Sequence, residues 1–503
     1  MHLSTLLAMS ADGFGARTAF GSRSGGTTYA ELQDRARRAA AWAVATGAER
    51  IGLVDVSSEA VPVLLYGSGL AGMPFVPVNY RLADDQLRET LRRTAPSVVV
   101  VEDAVPDRVG RLEGVQLVTR SELWDALARF DPRDEPHGDG SPEAIAILLF
   151  TSGTTGEPKA AVLRHKHLVS YIISTVEFMG AGEEEAALVS VPPYHVAGTS
   201  AVLSSVYAGR RIVYLPAFTP EAWVAAARNE QITQAMVVPT MLGRILDVLE
   251  HEVEQLPDLR HLSYGGGRMP TAVIERALAL LPHVEFVNAY GLTETSSTIA
   301  VLGPEDHRAA VSSSDPAVRR RLASVGRPLP GLDVEIRGGD GSPLGPGEAG
   351  EIWVRGEQVA GEYLDRPGVV EEGWFPTRDG GALEDGYLFL EGRLDDVIVR
   401  GAENVSPGEI EDALVAHPSV LEAGVVGVAD LEWGEKVVAA VVLRDGRSAD
   451  EAELRTWVRG RLRSSRTPEH VVIRTELPYN ELGKLLRRDL RAELSVAYGD
   501  PPA

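Results

Sequence analysis

The chain has 503 residues, 44% hydrophobic and 24% charged, the balance of a globular protein long enough for more than one folding unit and a large core. Its net charge of −23 argues against unspecific binding to nucleic acid or anionic membranes, though an anionic substrate needs only a local positive site. The absence of cysteine excludes disulfides, a cysteine nucleophile and thiolate-held metals, so a thiol in the chemistry must arrive with a substrate.

No basic region followed by an apolar core of signal-peptide length opens the chain, which points to a cytoplasmic protein. The pattern predicts a helix over 29–45 and strands over 51–56, 97–101 and 145–150. A polar surface loop is expected over 131–142, a helix over 220–229 and a second surface loop over 303–320. Two stretches without formal charge, 60–80 and 186–209, are interrupted by Pro62, Pro74, Pro77 and Pro192-Pro193. They read as buried helix-plus-strand segments rather than membrane spans. Helices alternating with short apolar strands predict an α/β fold of layered subdomains with largely parallel sheets.

Near Gly392 the pattern becomes compact and self-contained. Ser406-Pro407-Gly408-Glu409 reads as a capping box opening a helix to about His417. Strands over 420–428 and 436–443, a helix over 450–462, a strand over 470–474 and a last helix from about Lys484 follow. The expected organisation is a large N-terminal domain, residues 1–394, and a small mobile α+β C-terminal domain, residues 395–503. No internal repeat is present.

The strongest local signal is residues 151–159, TSGTTGEPK, directly after a predicted strand. Its glycines let backbone N–H groups approach a ligand, its hydroxyls add donors and Lys159 adds charge, which suits nucleotide phosphates. Pro158 stands where a Walker A loop requires glycine, so the motif is not a P-loop; a generic run of such residues would be a solvated turn. Two G-x-G-x-x-G matches lack the order strand, glycines, helix. Gly67, Gly69 and Gly72 fall inside a helical stretch, and Gly345, Gly347 and Gly350 precede a strand. Close packing and a hairpin turn account for them.

Taken together, TSGTTGEPK (151–159), PPYHVAG (192–198), YGGG (264–267), NAYGLTET (288–295), WFPTRD (374–379), GRLDDVIVRGAENVSPGEIE (392–411) and PYNELGKLLRR (478–488) form an ordered series. This series resembles the adenylate-forming superfamily of acyl-CoA synthetases, peptide-synthetase adenylation domains and beetle luciferases, from about residue 29 to 488. The resemblance implies a phosphate-binding loop at Thr151, Ser152, Gly153, Thr154, Thr155, Gly156 and Lys159. It implies that Thr293 and Glu294 contact the α-phosphate and Mg2+. Asp379 would accept the ribose hydroxyls, with Arg393 beside ribose and phosphate. Gly266, Gly267, Asn288, Ala289, Tyr290 and Gly291 would line the nucleotide. Tyr194, His195, Val196, Gly198, Val238, Tyr264 and Gly265 would form the acyl pocket, His195 acting at its edge.

Lys484 matches the family lysine that bridges the substrate carboxylate and the α-phosphate; a positioned ammonium lowers the repulsion between two meeting anions. Alone it would read as an exposed lysine at a helix start. Asp395 resembles the family hinge, about which the small domain rotates between half-reactions. Gly401, Ala402, Glu403, Asn404 and Trp433 would then line the channel for the thiol of coenzyme A. His165 and His167, two apart, do not share a helix face, which argues against a metal site there.

Three positions depart from the family pattern: Arg378 replaces the usual glycine before the ribose aspartate, Ala402 the second glycine before Glu403-Asn404, and Gly267 the usual alanine. The implied reaction is ATP-dependent, AMP-forming ligation of a carboxylic acid to coenzyme A through an acyl-adenylate. The alternatives are loading of a carrier-protein phosphopantetheine, another oxyacid with an amine acceptor, or a nucleotide-binding regulator without activity. Val196 stands where amino-acid-activating members usually carry aspartate. The small and aromatic residues of the pocket suit an aromatic or compact aliphatic acid. The implied substrates are that acid, ATP and coenzyme A, with Mg2+ and no nucleic acid; a homodimer is left open.

Overall fold

A computed structural model describes residues 1–132, 138, 140–151, 159–252, 255–364, 370–400, 403–479 and 485–500. The chain builds a large α/β N-terminal domain and a smaller C-terminal one. Two layered sheets dominate the first. A six-stranded sheet runs Val115–Thr119, Ser97–Val101, Arg50–Val54, Phe75–Pro77, Ile145–Thr151, Lys159–Arg164, parallel except for its last pair. In a nine-stranded sheet, Arg211–Tyr214, Ala186–Val189, Gln234–Val237, His261–Gly265 and Glu285–Leu292 are parallel neighbours.

The space between these sheets is filled by helices whose sequences explain their burial. Helix Ala60–Ala71 is apolar on every side and almost every residue of it is buried. Tyr29–Thr46 starts in a capping box of Thr28 and Glu31 and presents an alanine stripe to that helix. Gly67 sits where an added Cβ would meet Ala39 at 2.8 Å, and Gly72 ends the helix in the left-handed region. The rejected dinucleotide match is therefore helix packing plus a C-cap. The second match lies where Asp333–Arg337 turns back to pair antiparallel with Gly350–Arg355.

That pair belongs to a four-stranded antiparallel sheet completed by Phe375–Glu384 and Tyr387–Arg393. A fourth sheet begins at Ile398–Arg400. It pairs Gly434–Leu443 with both Val420–Asp430 and His470–Arg474, and is covered by helices Pro407–Val415, Glu451–Arg459 and Arg487–Tyr498.

Three expectations need correction. Residues 303–320 are not a loop: helices Pro304–Ser312 and Pro316–Arg319 each open on proline, and His307 and Ala310 are buried beneath the first. Its polar composition is that of one solvated face. The capping box at Ser406 does not form. Its hydroxyl donates instead to the Glu391 carbonyl at 2.5 Å, and Glu409 pairs with Arg466. The last helix begins at Arg487, three residues beyond Lys484. Among the described residues no helix is long and apolar enough to cross a membrane.

Candidate active site

The phosphate-loop motif joins two antiparallel strands. Thr151, at the end of one, is the register partner of Lys159, at the start of the next, and its hydroxyl donates to the Lys159 carbonyl at 3.3 Å. Ser152, Gly153, Thr154, Thr155 and Gly156 lie outside the described residues.

The root of this hairpin is tied to the Thr293–Thr295 turn by a segment that sequence reasoning missed. Tyr363 bridges Ala161, and the Leu364 N–H donates to the Ala160 carbonyl at 2.9 Å. The Tyr363 hydroxyl donates to Glu294 Oε1 at 2.6 Å, and Lys159 Nζ stands 5.5 Å from the centre of its ring. The Ala360 and Gly361 N–H groups both reach the Glu294 carbonyl, at 2.8 and 3.2 Å. Gln358, buried, donates from Nε2 to the carbonyls of Thr295 (3.0 Å) and Thr298 (2.7 Å).

This bracing matters because Ser296 (φ 59°) and Ser297 (φ 130°) follow in backbone regions that side chains disfavour. Gln358 and Tyr363 carry no local sequence signal, since their partners stand 60 to 69 residues away.

On the other side, Asp379 is gripped from three directions. Its Oδ2 accepts from the Tyr290 hydroxyl at 2.6 Å and its Oδ1 faces Arg393 Nε at 3.1 Å. Its N–H donates to Thr377 Oγ1 at 3.1 Å. Burial, then the Asp379 charge, push the Tyr290 phenol well above the usual tyrosine range, so it stays a donor. Arg393 is the register partner of Asp379 across two antiparallel strands, which is why residues so far apart in sequence converge. Arg378 points to solvent at φ 62°, the left-handed region that favours glycine.

The floor is the glycine run. Gly265 is buried where a Cβ would meet the Ala289 carbonyl at 2.3 Å, whereas one on Gly267 would rest 3.8 Å from Pro239. Successive strand residues face opposite ways, so Tyr264 does not share a face with Gly265. This corrects its place in the acyl pocket. The Tyr264 side chain lies in the core of the nine-stranded sheet, its hydroxyl 2.8 Å from His307 Nε2, while His307 Nδ1 lies 2.7 Å from the Gly303 carbonyl. Asn288, in register with Tyr264, points the same way and donates to the Ser324 carbonyl at 3.4 Å; Ala289 faces oppositely. Gly291 backs onto the Ser297 carbonyl with no room for a side chain.

His195 precedes helix Val196–Ala208 and packs tilted against Tyr194, ring centres 4.5 Å apart. Burial alone pushes its imidazole down to about 4. A neutral ring can pack and hydrogen-bond but supplies no cation near neutral pH. Gly198 packs under the Pro192 carbonyl, where a Cβ would come within 2.4 Å, and Val238 is buried just before helix Pro239–Leu249.

A cavity of about 250 Å³ opens beside Pro192 and Thr240 and is closed from the C-terminal domain by Glu422 and Tyr479. Asp395 lies in the short 3-10 turn Leu394–Asp396. Trp433 is 47% exposed, with Arg400 5.7 Å over its ring, and Glu403 pairs in register with Arg400. Gly401, Ala402, Lys484 and the side chain of Asn404 lie outside the described residues.

This geometry matches known proteins along nearly the whole chain. The model of the AMP-binding enzyme family matches residues 7–364, and that of the AMP-binding enzyme C-terminal domain matches 409–484. A feruloyl-CoA synthase of Amycolatopsis is 34% identical, over 93% of this chain and 94% of its own. The fatty acid–[acyl-carrier-protein] ligase ScoC of Streptomyces coeruleorubidus is 32% identical over 92% and 91%. The crystal structure of ATP-bound MatB from Rhodopseudomonas palustris superposes with a TM-score of 0.88 at 27% identity, covering 99% and 100%. The chain belongs to the AMP-binding enzyme family. Within it, the protein is an AMP-forming acid–thiol ligase of the acyl-CoA synthetase type.

Proposed function

We propose that the protein condenses an aromatic or compact aliphatic carboxylic acid with ATP to an acyl-adenylate and pyrophosphate, then transfers the acyl group to the thiol of coenzyme A. The observation that carries this reading is Asp379 held between Tyr290 and Arg393, together with the root of the 151–159 hairpin tied through Tyr363 to Glu294.

In this reading Asp379 accepts the ribose hydroxyls, Arg393 lies beside them, and Thr151 and Lys159 with the intervening loop hold the phosphates. Ala289, Gly291, Gly266 and Gly267 border the nucleotide, and His195 with Gly265 borders the acyl group. Glu294 and Thr293 face the α-phosphate. Glu294 also fits Mg2+: it is a single hard carboxylate, oriented by a phenol, in a site where phosphate oxygens complete the shell. Bound there, Mg2+ would offset charge on the phosphates. Lys484 would hold carboxylate and α-phosphate together while the nucleophile approaches. The domain boundary then falls at 394/395, with Asp395 the pivot that brings the Glu403 and Trp433 face inward for the thiol.

Pyrophosphate exchange over a panel of aryl, aliphatic and amino acids, followed by product analysis, tests the reading. AMP and pyrophosphate are expected; ADP and phosphate would exclude it. Lys484→Ala should slow adenylate formation about 100-fold or more while sparing thioester formation from supplied adenylate. The similarity to ScoC supports a carrier-protein phosphopantetheine as a second acceptor, and adding coenzyme A and a carrier protein in parallel separates the two.

A further inference from the structure

Besides the Ser406–Glu391 hydrogen bond, an ion pair joins the domains, and the chemistry above does not explain it. Arg268 follows the glycine floor directly. Its Nη2 reaches Asp412 Oδ2, on helix Pro407–Val415, at 2.5 Å. Its guanidinium also lies on Gly408, where an added Cβ would come within 2.2 Å of Nη1. At the inter-domain cavity, Arg244, on helix Pro239–Leu249, and Glu422 line the same space, and the Glu422 carboxyl accepts a hydrogen bond from Tyr479.

Each place sets a cation of the large domain near an acid of the small one. Both side chains of the Arg268–Asp412 pair are roughly 40% exposed (41% and 39%), and half-exposed pairs are weak. A weak pair suits a contact that must form and break once per catalytic cycle.

We propose that Arg268 and Asp412 form a positioning latch that biases the small domain toward the orientation for adenylate formation, with Arg244, Glu422 and Tyr479 as its second clasp. The proposal rests on the two-half-reaction reading above. Arg268 touches no reacting atom; it acts by holding Asp412, and so its effect must differ between the half-reactions. An ion pair that favours one of two orientations shifts their populations by its differential strength and no more.

The experiment uses the full chain. Arg268→Ala and Asp412→Ala should each lower pyrophosphate exchange by about 1.5- to 5-fold, while thioester formation from supplied adenylate is unchanged or faster. The swap of Arg268→Asp with Asp412→Arg should recover most of the exchange rate. The chain contains no cysteine, so paired spin labels on Ser312→Cys and Ser448→Cys report the inter-domain distance without background. Arg268→Ala should broaden or shift that distance distribution, and the swap should restore it. Equal losses in both half-reactions, no recovery in the swap, or an unaltered distance distribution would each overturn the latch. Exchange by the unsubstituted enzyme, measured alongside, reports on the ligase reading separately.

Discussion

Tyr290 and Asp379 stand 89 residues apart in sequence and meet through a 2.6 Å hydrogen bond from the phenol to Oδ2. With Arg393 on the other oxygen, the carboxylate is fixed in one orientation before any substrate arrives. In the proposed reaction such preorganisation would let a single side chain hold two ribose hydroxyls at little entropic cost.

Asp379→Asn should therefore raise the KM for ATP by about 10-fold or more, since hydrogen bonds to a charged group contribute roughly 1.5–3 kcal/mol. Tyr290→Phe leaves the Arg393 contact in place, and its KM should rise only a few-fold. Steady-state exchange kinetics on both variants check this. Equal effects would show that Tyr290, not the carboxylate, dominates.

Glu294→Ala should raise the Mg2+ concentration needed for half-maximal exchange. Tyr363→Phe removes only the hydrogen bond that orients the carboxylate, and a loss of about 10-fold in metal affinity is expected, the low end for such supporting contacts. Direct titration of Mn2+ with ATP by paramagnetic resonance gives a readout independent of turnover. An unchanged titration for Glu294→Ala would remove it from the metal site.

Arg378 occupies a left-handed backbone position, φ 62°, where residues other than glycine are strained by about 1 kcal/mol or more. Its side chain is exposed, so Arg378→Gly should stabilise the fold by an amount of that order. A higher urea midpoint with unchanged slope is the expected result. A lower midpoint would mean that the arginine makes a stabilising contact that outweighs the strain.

Three histidines with strongly lowered pKa values make stability depend on pH. Burial pushes His165 to about 3, helped by neighbouring His2, and His167 and His195 to about 4. Their folded values lie below the ordinary 6.5, so the unfolded chain binds more protons between these limits. The stability they contribute is complete above about pH 6.5 and is lost as pH falls toward 4. Each can contribute up to about 1.4 kcal/mol per pH unit in that window. Urea midpoints from pH 7.5 to 5 should fall steadily; a flat profile would mean that these rings are solvated.

Sequence alone determined the class of fold and the chemistry of the cleft's motifs. A continuous apolar run placed Ser97–Val101 to the residue, and local spacing placed His470–Arg474 and helix Pro220–Asn229 likewise. The ordered motifs named the nucleotide-site candidates, since each needs particular residue types close together in the chain.

Tertiary structure alone decided the rest. It turned Tyr264 away from Gly265, because a strand's two faces are distinguished only by what packs on each. It made Ser406 bond to Glu391 rather than to its own helix, because a partner 15 residues away competes with the local cap. It brought Gln358, Tyr363 and Arg268 to the cleft through contacts 60 to 144 residues long, which no local pattern can record.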